Sequence, residues 1–229
     1  MKLFLLPGLD GTGELFDSFV SAFSNPSQIV VCRYPADAAL GYSELAQIVL
    51  TQLPCDEPFV LLGESFSGPI AVAVAATQPS MLRGLVLVNT FLTNPRPVLL
   101  SLCIKLPDQL LTSPPDTFLK WMLRGAEKNA IPFAQLQSTL TGLSPKVVRS
   151  RLVSIANVNV ESDARDVRVP VCIIQSISDL AVSKAASNSL VHSFEHCRIE
   201  LLTTSHFLLQ TLPKASSSIV EEFAHGCYS

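Results

Sequence analysis

The chain has 229 residues, of which 48% are apolar and only 15% are Asp, Glu, Lys or Arg. This composition excludes intrinsic disorder, which requires low hydrophobicity and high net charge, and the length predicts one domain with room for an insertion. The formal net charge of -3 argues against a nucleic-acid partner, because binding to phosphates requires a concentration of basic residues.

The first residues, M-K-L-F-L-L-P-G, predict a β-strand. Only four apolar residues lie between Lys2 and Pro7, whereas a signal peptide needs about 7–15 of them. No run reaches the roughly 18 apolar residues of a membrane span. The six cysteines are scattered and have the spacing of neither a zinc site nor a C-x-x-C redox motif. We therefore expect free thiols, a cytoplasmic protein and no integral membrane segment.

Six short runs rich in Val, Ile and Leu predict buried parallel strands, because strands covered by helices on both faces are apolar throughout. The runs are residues 2–6, 28–33, 59–62, 84–89, 169–175 and 197–202. Helical patterns lie between or after them, at residues 13–23, 43–53, 67–77, 183–193 and 207–224. This alternation predicts an α/β fold with a doubly wound, mostly parallel sheet of about six strands.

The interval between the fourth and fifth runs is too long for a structureless loop and predicts helices. Ser144–Pro145 is typical of a helix start, with a serine N-cap followed by proline. We expect residues 1–91 and 159–229 to form the core and residues 92–158 to form a helical cap over the strand ends. Residues 91–157 carry eight basic and three acidic residues, an excess that fits solvated helix faces or recognition of an anionic group.

The segment from Phe59 to Pro69 reads F-V-L-L-G-E-S-F-S-G-P, so a buried strand is followed at once by a helix. That is the context of a nucleophile elbow, in which a serine, here Ser65, sits on a sharp turn with its hydroxyl exposed. The residues two positions away must be small, as Gly63 and Ser67 are, although the second is more usually glycine. The glycines of this segment could alternatively serve only the close packing of helix on strand.

A serine nucleophile needs a base, and the base needs an orienting acid. In a parallel α/β fold of this kind they follow the serine in the order acid, then His. His206 comes directly after the last predicted strand, and Asp179 is the one carboxylate between Arg168 and Glu195. We predict Ser65, Asp179 and His206 as the catalytic residues, with helix capping as the alternative role of Asp179.

The loop after the first strand, L-L-P-G-L-D-G-T-G-E, is rich in glycine and can turn backbone N–H groups inward. Acyl transfer needs such donors for the tetrahedral oxyanion, each worth about 3–4 kcal/mol. We predict the N–H groups of Phe66 and Leu9 as donors, with Asp10 as the alternative to Leu9. A phosphate-binding loop is the competing interpretation, but G-L-D-G-T-G is not G-x-G-x-x-G, and no G-K-[ST] sequence occurs.

Together, P-G-L-D-G-T-G, G-E-S-F-S-G, S-D-L at Asp179 and S-H-F-L-L-Q resemble the α/β-hydrolase superfamily over nearly the whole chain. G-E-S-F-S-G is similar to this segment in small microbial esterases and in the hydrolase portion of plant ester synthases, which carry G-E-S-F-G-G. The resemblance implies a triad of Ser65, His206 and Asp179, an oxyanion hole from Leu9 and Phe66, no metal and no organic cofactor. The chain departs from the family at Pro7, where a histidine is usual, and is expected to lack the two amino-terminal strands of larger members.

We expect a serine hydrolase that cleaves a small-molecule carboxylic ester with a small or medium acyl chain. Phe118, Trp121 and Phe133 are expected to line an acyl pocket above Ser65. An acyltransferase or a thioesterase would use the same triad, because only the entering nucleophile or the substrate linkage differs. A non-catalytic ligand-binding protein is the third interpretation, since a fold does not by itself determine function.

Overall fold

The computed structural model describes residues 2–124 and 133–227. Its six strands form one sheet in the order β2-β1-β3-β4-β5-β6, and every neighbouring pair is parallel. The strands are β1 (Lys2–Leu6), β2 (Ile29–Val31), β3 (Phe59–Glu64), β4 (Leu82–Val88), β5 (Val171–Ser176) and β6 (Cys197–Leu202). The predicted fold class, a parallel sheet of about six strands with helices between them, is confirmed.

The helices of the described residues alternate with the strands, except between β4 and β5, where several follow one another. They are α1 (Asp17–Ser21), α2 (Tyr42–Gln52), α3 (Gly68–Ala76), α4 (Pro97–Cys103), α5 (Asp108–Thr112), α6 (Asp116–Met122), α7 (Phe133–Thr141), α8 (Pro145–Asn157), α9 (Glu161–Ala164), α10 (Lys184–His192), α11 (Leu208–Thr211) and α12 (Pro213–Gly226). Within residues 2–124 and 133–227, none of these helices has both the length and the apolar character needed to cross a membrane. All six cysteines are free thiols.

The four central strands, β1, β3, β4 and β5, are largely buried on both faces, and successive residues of each belong to different halves of the core. The edge strand β6 was predicted to be buried, but Ile199 and Leu201 are exposed on one of its faces. In β1, Phe4 and Leu6 pack in one cluster with α2, α3 and α10, whereas Leu3 and Leu5 pack in another with α1 and α12. The same alternation runs along β3, β4 and β5. Each side chain buried in this way contributes about 1.5–3 kcal/mol, so helices on both faces are needed to stabilise the sheet.

Several element boundaries differ from the predicted ones. The predicted helix at residues 207–224 is two helices, α11 and α12, because Pro213 disfavours helical backbone at Leu212, whose φ and ψ are -127° and 54°. The predicted helix at residues 13–23 is a 3-10 turn, Glu14–Phe16, followed by the short α1. The second strand is shorter than predicted, since only Ile29–Val31 pairs with β1.

Residues 89–170, here called the β4–β5 segment, carry α4 to α9. Its two ends meet, because Thr93 and Asn159 form an isolated antiparallel bridge, and the N–H of Val160 donates to the carbonyl of Leu92 at 3.0 Å. The chain therefore leaves the sheet and returns to it at adjacent points.

Two glycines allow α3 to begin directly against the end of β3. A Cβ atom at Gly63 would lie 2.7 Å from the Cβ of Ala71, and a Cβ atom at Gly68 would overlap the side chain of Thr90. The close approach of strand and helix therefore depends on the absence of a side chain at both positions.

We expect Gly68→Ala to lower the free energy of unfolding by about 1–3 kcal/mol, because the added methyl must displace the buried side chain of Thr90. Gly226→Ala is the matched control, since a Cβ atom there would meet no heavy atom within 4 Å, and it should stay within about 0.5 kcal/mol of the wild type. Chemical denaturation of the three proteins measures the difference. Equal values for both variants would contradict this account of the packing.

Candidate active site

The carboxyl-terminal edge of the sheet gathers polar residues from four strand ends. Ser65 directly follows β3, Asn89 directly follows β4, Asp179 lies in the turn after β5, and His206 lies in the loop after β6. Because all strands are parallel, these loops meet at one edge of the sheet. The three residues predicted as a triad are thereby brought into contact.

Ser65 occupies a turn with left-handed backbone geometry. Its φ is 49°, and its carbonyl accepts a hydrogen bond of 2.5 Å from the hydroxyl of Thr90. A residue with a side chain adopts this region at a cost of about 1–2 kcal/mol, so the turn is held by its surroundings. Within residues 59–72, Ser65 is the one residue that is not buried. The turn therefore exposes the hydroxyl while its neighbours remain in the core.

Ser65, His206 and Asp179 form a continuous hydrogen-bonded chain. The Oγ of Ser65 lies 2.9 Å from Nε2 of His206, and Nδ1 of His206 lies 2.8 Å from Oδ2 of Asp179. The other carboxylate oxygen of Asp179 accepts from the N–H groups of Ala181 at 2.7 Å and Val182 at 2.9 Å. Because a carboxylate only accepts, the ring proton lies on Nδ1, and Nε2 is free to accept from the hydroxyl of Ser65.

Asn89 connects this chain to the sheet. Its Nδ2 donates to the carbonyl of His206 at 2.7 Å, and its Oδ1 accepts from the N–H of Ser176 at 2.7 Å. The residue is buried and has a φ of 42°, a conformation in which Asn is several-fold enriched. The sequence analysis did not identify it. An Asn directly after a buried strand is the signal that could have revealed its role.

Three residues that line the same cavity have backbone N–H groups without a backbone acceptor. Those of Leu9 and Asp10 have no hydrogen-bond acceptor among the described residues, and both residues line the cavity that contains Ser65. The N–H of Phe66 lies in the first turn of the 3-10 helix Ser65–Ser67, where no intrahelical acceptor exists. These N–H groups are therefore free to bind a ligand in the cavity.

Ser67 makes two buried hydrogen bonds. The sequence resembles the α/β-hydrolases, which usually have glycine at this position. The hydroxyl of Ser67 donates to the carbonyl of Pro7 and lies 2.7 Å from the hydroxyl of Tyr34. Since Ser67 has a single proton to donate, Tyr34 is the donor in the second bond. The departure from glycine therefore links the loop after β1 to the turn that carries Ser65.

Glu64 is a second carboxyl group at this site, and the sequence analysis did not single it out. The side chain is buried, and its Oε1 accepts a hydrogen bond of 2.9 Å from Nε2 of Gln210. Burial raises the pKa of Glu64 to about 7, with a smaller rise from the charge of Asp10, while Gln210 and His206 act in the opposite direction. Glu64 therefore changes charge near neutral pH.

The pKa of His206 is raised above its ordinary value. Burial alone lowers the pKa, but the charge of Asp179, the hydrogen bond to Asp179 and the charge of Glu64 together outweigh that effect. The imidazolium form of His206 is thus stabilised within the site, as a proton-accepting base requires.

A cavity of about 510 Å³ opens above Ser65 and His206. Its other walls are mainly apolar side chains of α4 to α8, and among them are Phe118 and Trp121, whose rings stack at 5.8 Å between centroids. The side chain of Phe133, the third residue predicted for this pocket, lies outside the described part of the structure. In residues 2–124 and 133–227, no group of three or more His, Cys, Asp or Glu side chains is arranged to hold a metal ion.

Comparison with solved structures identifies the fold. The enol-lactonase from Burkholderia xenovorans LB400 superposes with a TM-score of 0.80 at 19% identity, over 97% of this chain and 90% of that one. The thermophilic esterase from Thermogutta terrifontis gives 0.80 at 12% identity, over 100% and 91%. The bromoperoxidase from Bacillus anthracis gives 0.79 at 17% identity, over 98% and 91%. The chain therefore has the α/β-hydrolase fold. No family model and no curated protein matches the sequence.

We expect Glu64→Gln to lower the pKa of His206. The substitution keeps the shape of the side chain but removes the negative charge that stabilises the imidazolium, so the ring loses its proton at lower pH. NMR titration of the His206 ring protons measures this shift. Glu57→Gln is the control, because Glu57 is exposed and precedes β3 at the opposite end of that strand. An unchanged His206 titration in Glu64→Gln would disprove the electrostatic coupling.

Proposed function

We propose that this protein is a serine hydrolase that cleaves carboxylic esters with small or medium acyl chains. The observation that carries the proposal is the hydrogen-bonded chain from Ser65 through His206 to Asp179, with 2.9 Å and 2.8 Å between the bonded atoms. Nucleophile, base and orienting acid are the groups that acyl transfer requires, in contact and in the required order. The left-handed turn at Ser65 supports its role as a nucleophile elbow.

In the acylation step, Oγ of Ser65 attacks the ester carbonyl carbon while Nε2 of His206 takes the hydroxyl proton. The tetrahedral intermediate collapses, the C–O bond to the alcohol breaks, and His206 returns the proton to the leaving alkoxide. Water then attacks the acyl-enzyme, again losing its proton to His206, which gives it back to Oγ as the carboxylic acid departs. Asp179 fixes the ring orientation and stabilises the imidazolium in both steps.

Backbone N–H groups are proposed to stabilise the oxyanion of each tetrahedral intermediate. The N–H of Phe66 is one, and the N–H of Leu9 is the other, with Asp10 as the neighbouring alternative. Both loop residues line the cavity at Ser65, and their N–H groups have no acceptor among the described residues. Donors fixed in this way stabilise developing negative charge without reorganisation during the reaction.

The acyl chain is proposed to occupy the cavity above Ser65, under a cap formed by residues 92–158. Phe118 and Trp121 belong to its wall, and the volume of about 510 Å³ is in the usual range for a small-molecule site. The apolar walls favour an apolar acyl group over a charged one. The six free thiols are compatible with a reducing compartment, and we propose the cytoplasm.

Ser65→Ala should abolish covalent labelling by a fluorophosphonate probe, because Ser65 carries the one hydroxyl bonded to His206 in the described part of the chain. His206→Ala should slow labelling by about 10³-fold or more, since the unassisted hydroxyl is a poor nucleophile. Ser218→Ala and His192→Ala, both at exposed positions, are the matched controls and should label like the wild type. Rates are followed by gel fluorescence, and labelling that persists in Ser65→Ala would refute the assignment.

A series of p-nitrophenyl esters from acetate to decanoate tests the proposed acyl site. Leu99→Trp places a large side chain in the cavity wall, so kcat/KM for the longest chains should fall about 10-fold or more while that for acetate is retained. Val98→Trp is the control, because Val98 is 76% exposed and does not line the cavity. The same loss in both variants would argue against this acyl site.

Free acid as the main product in the presence of an added alcohol distinguishes a hydrolase from an acyltransferase.

A further inference from the structure

Arg151 is the largest of the fully buried side chains, although it is charged. It belongs to α8, is 2% exposed, and directs its guanidinium at the loop that follows β1. Nη1 donates to the carbonyl of Leu9 at 2.7 Å and to that of Asp10 at 2.8 Å, and Nη2 donates to the carbonyl of Pro35 at 3.1 Å. The guanidinium of Arg151 is therefore bound to three backbone carbonyls.

The site is shaped around this guanidinium. Its carbon atom lies 5.8 Å from the ring centre of Tyr34 and 5.9 Å from that of Phe66. A Cβ atom at Gly11 would lie only 2.6 Å from Nη1, so that glycine makes room for the cation. Among the described residues, no carboxylate forms an ion pair with Arg151. Burial disfavours the cation and lowers the pKa of Arg151, while the charge of the buried Asp10 acts in the opposite direction without a direct ion pair. Burying a guanidinium in this way is costly, and an apolar side chain would fill the space without that cost.

The hydrogen bonds to Arg151 determine the direction of two peptide groups. In a trans peptide the C=O and the N–H point in opposite directions, so the N–H of Asp10 points away from the guanidinium that binds the Leu9 carbonyl. Leu9 and Asp10 line the cavity at Ser65, whereas Arg151 does not. The two carbonyl oxygens are thus held on the side of the loop away from the cavity.

We propose that Arg151 is a positioning residue for the oxyanion hole, because it keeps the carbonyls of Leu9 and Asp10 out of the cavity and leaves the N–H of Asp10, the alternative donor to that of Leu9, directed at the substrate oxygen. The inference rests on the proposed ester hydrolysis at Ser65. Rotation of the peptide between Leu9 and Asp10 would place a partially negative carbonyl oxygen beside the developing oxyanion. Arg151 opposes that rotation, since the rotation would remove one of the three acceptors of a buried cation.

Arg151→Met tests the proposal, because methionine fills much of the space and removes every donor. With p-nitrophenyl butyrate, kcat should fall about 10- to 100-fold while KM changes little, since the oxyanion forms only in the transition state. Affinity for an alkylboronic acid, which forms a tetrahedral anionic adduct with a serine hydroxyl, should fall by a similar factor. Arg151→Lys keeps the charge and should restore part of both losses.

Arg149→Met is the matched control on the same helix. The guanidinium of Arg149 donates to the carbonyls of Ile104 and Leu106 and to Asp108, all within the β4–β5 segment. Its loss should lower stability but leave kcat and boronic acid affinity close to wild type. If Arg151→Met fails to fold, Arg151→Lys decides, and wild-type values of kcat and boronic acid affinity in a folded Arg151 variant would overturn the inference. Hydrolysis that persists in Ser65→Ala would instead overturn the proposed function.

Discussion

Burial of the central strands on both faces is the constraint on which the candidate site depends. Leu3 and Phe4, neighbours in β1, pack against different layers of helices, and a parallel sheet covered in this way offers polar groups access to water mainly at its ends. Ser65, Asp179 and His206 lie at the carboxyl-terminal end because each follows its own strand. The core thus brings together side chains that are far apart in the chain.

Polar groups at this edge lie close to the core and need partners there. Asn89 satisfies the N–H of Ser176 and the carbonyl of His206, and Thr90 satisfies the carbonyl of Ser65. Ser65 and Asn89 both have positive φ angles, so two neighbouring strands end in unfavourable backbone conformations that these hydrogen bonds hold. Unfavourable backbone geometry is often concentrated at functional sites, where the surrounding structure fixes it. Here it orients the hydroxyl of Ser65 toward His206.

The sequence was sufficient to predict the sheet and the three residues of the Ser65–His206–Asp179 chain, because each prediction used a local pattern, a buried strand followed by a polar residue. It was not sufficient for residues whose partners lie far along the chain. Gln210 bonds Glu64 from 146 residues away, and Arg151 bonds Leu9 from 142 residues away. Such pairs form because α8 and α11 pack near the candidate site, and no local sequence pattern predicts how two distant helices pack. The break at Pro213 could have been predicted, since proline restricts the residue before it.

Two basic residues of the β4–β5 segment, Arg149 and Arg151, have a role that neither interpretation of the sequence included. Neither side chain lines the cavity, and both guanidinium groups bind backbone carbonyls, Arg149 from a partly exposed position and Arg151 from a buried one. A guanidinium suits this role because its five N–H donors can serve several acceptors at once. Through Arg151, α8 holds the loop after β1, and through Val148, Leu152 and Ile155 it forms part of the cavity wall. One helix therefore contributes both to the cavity wall and to the orientation of this loop, so a displacement of α8 would change both together.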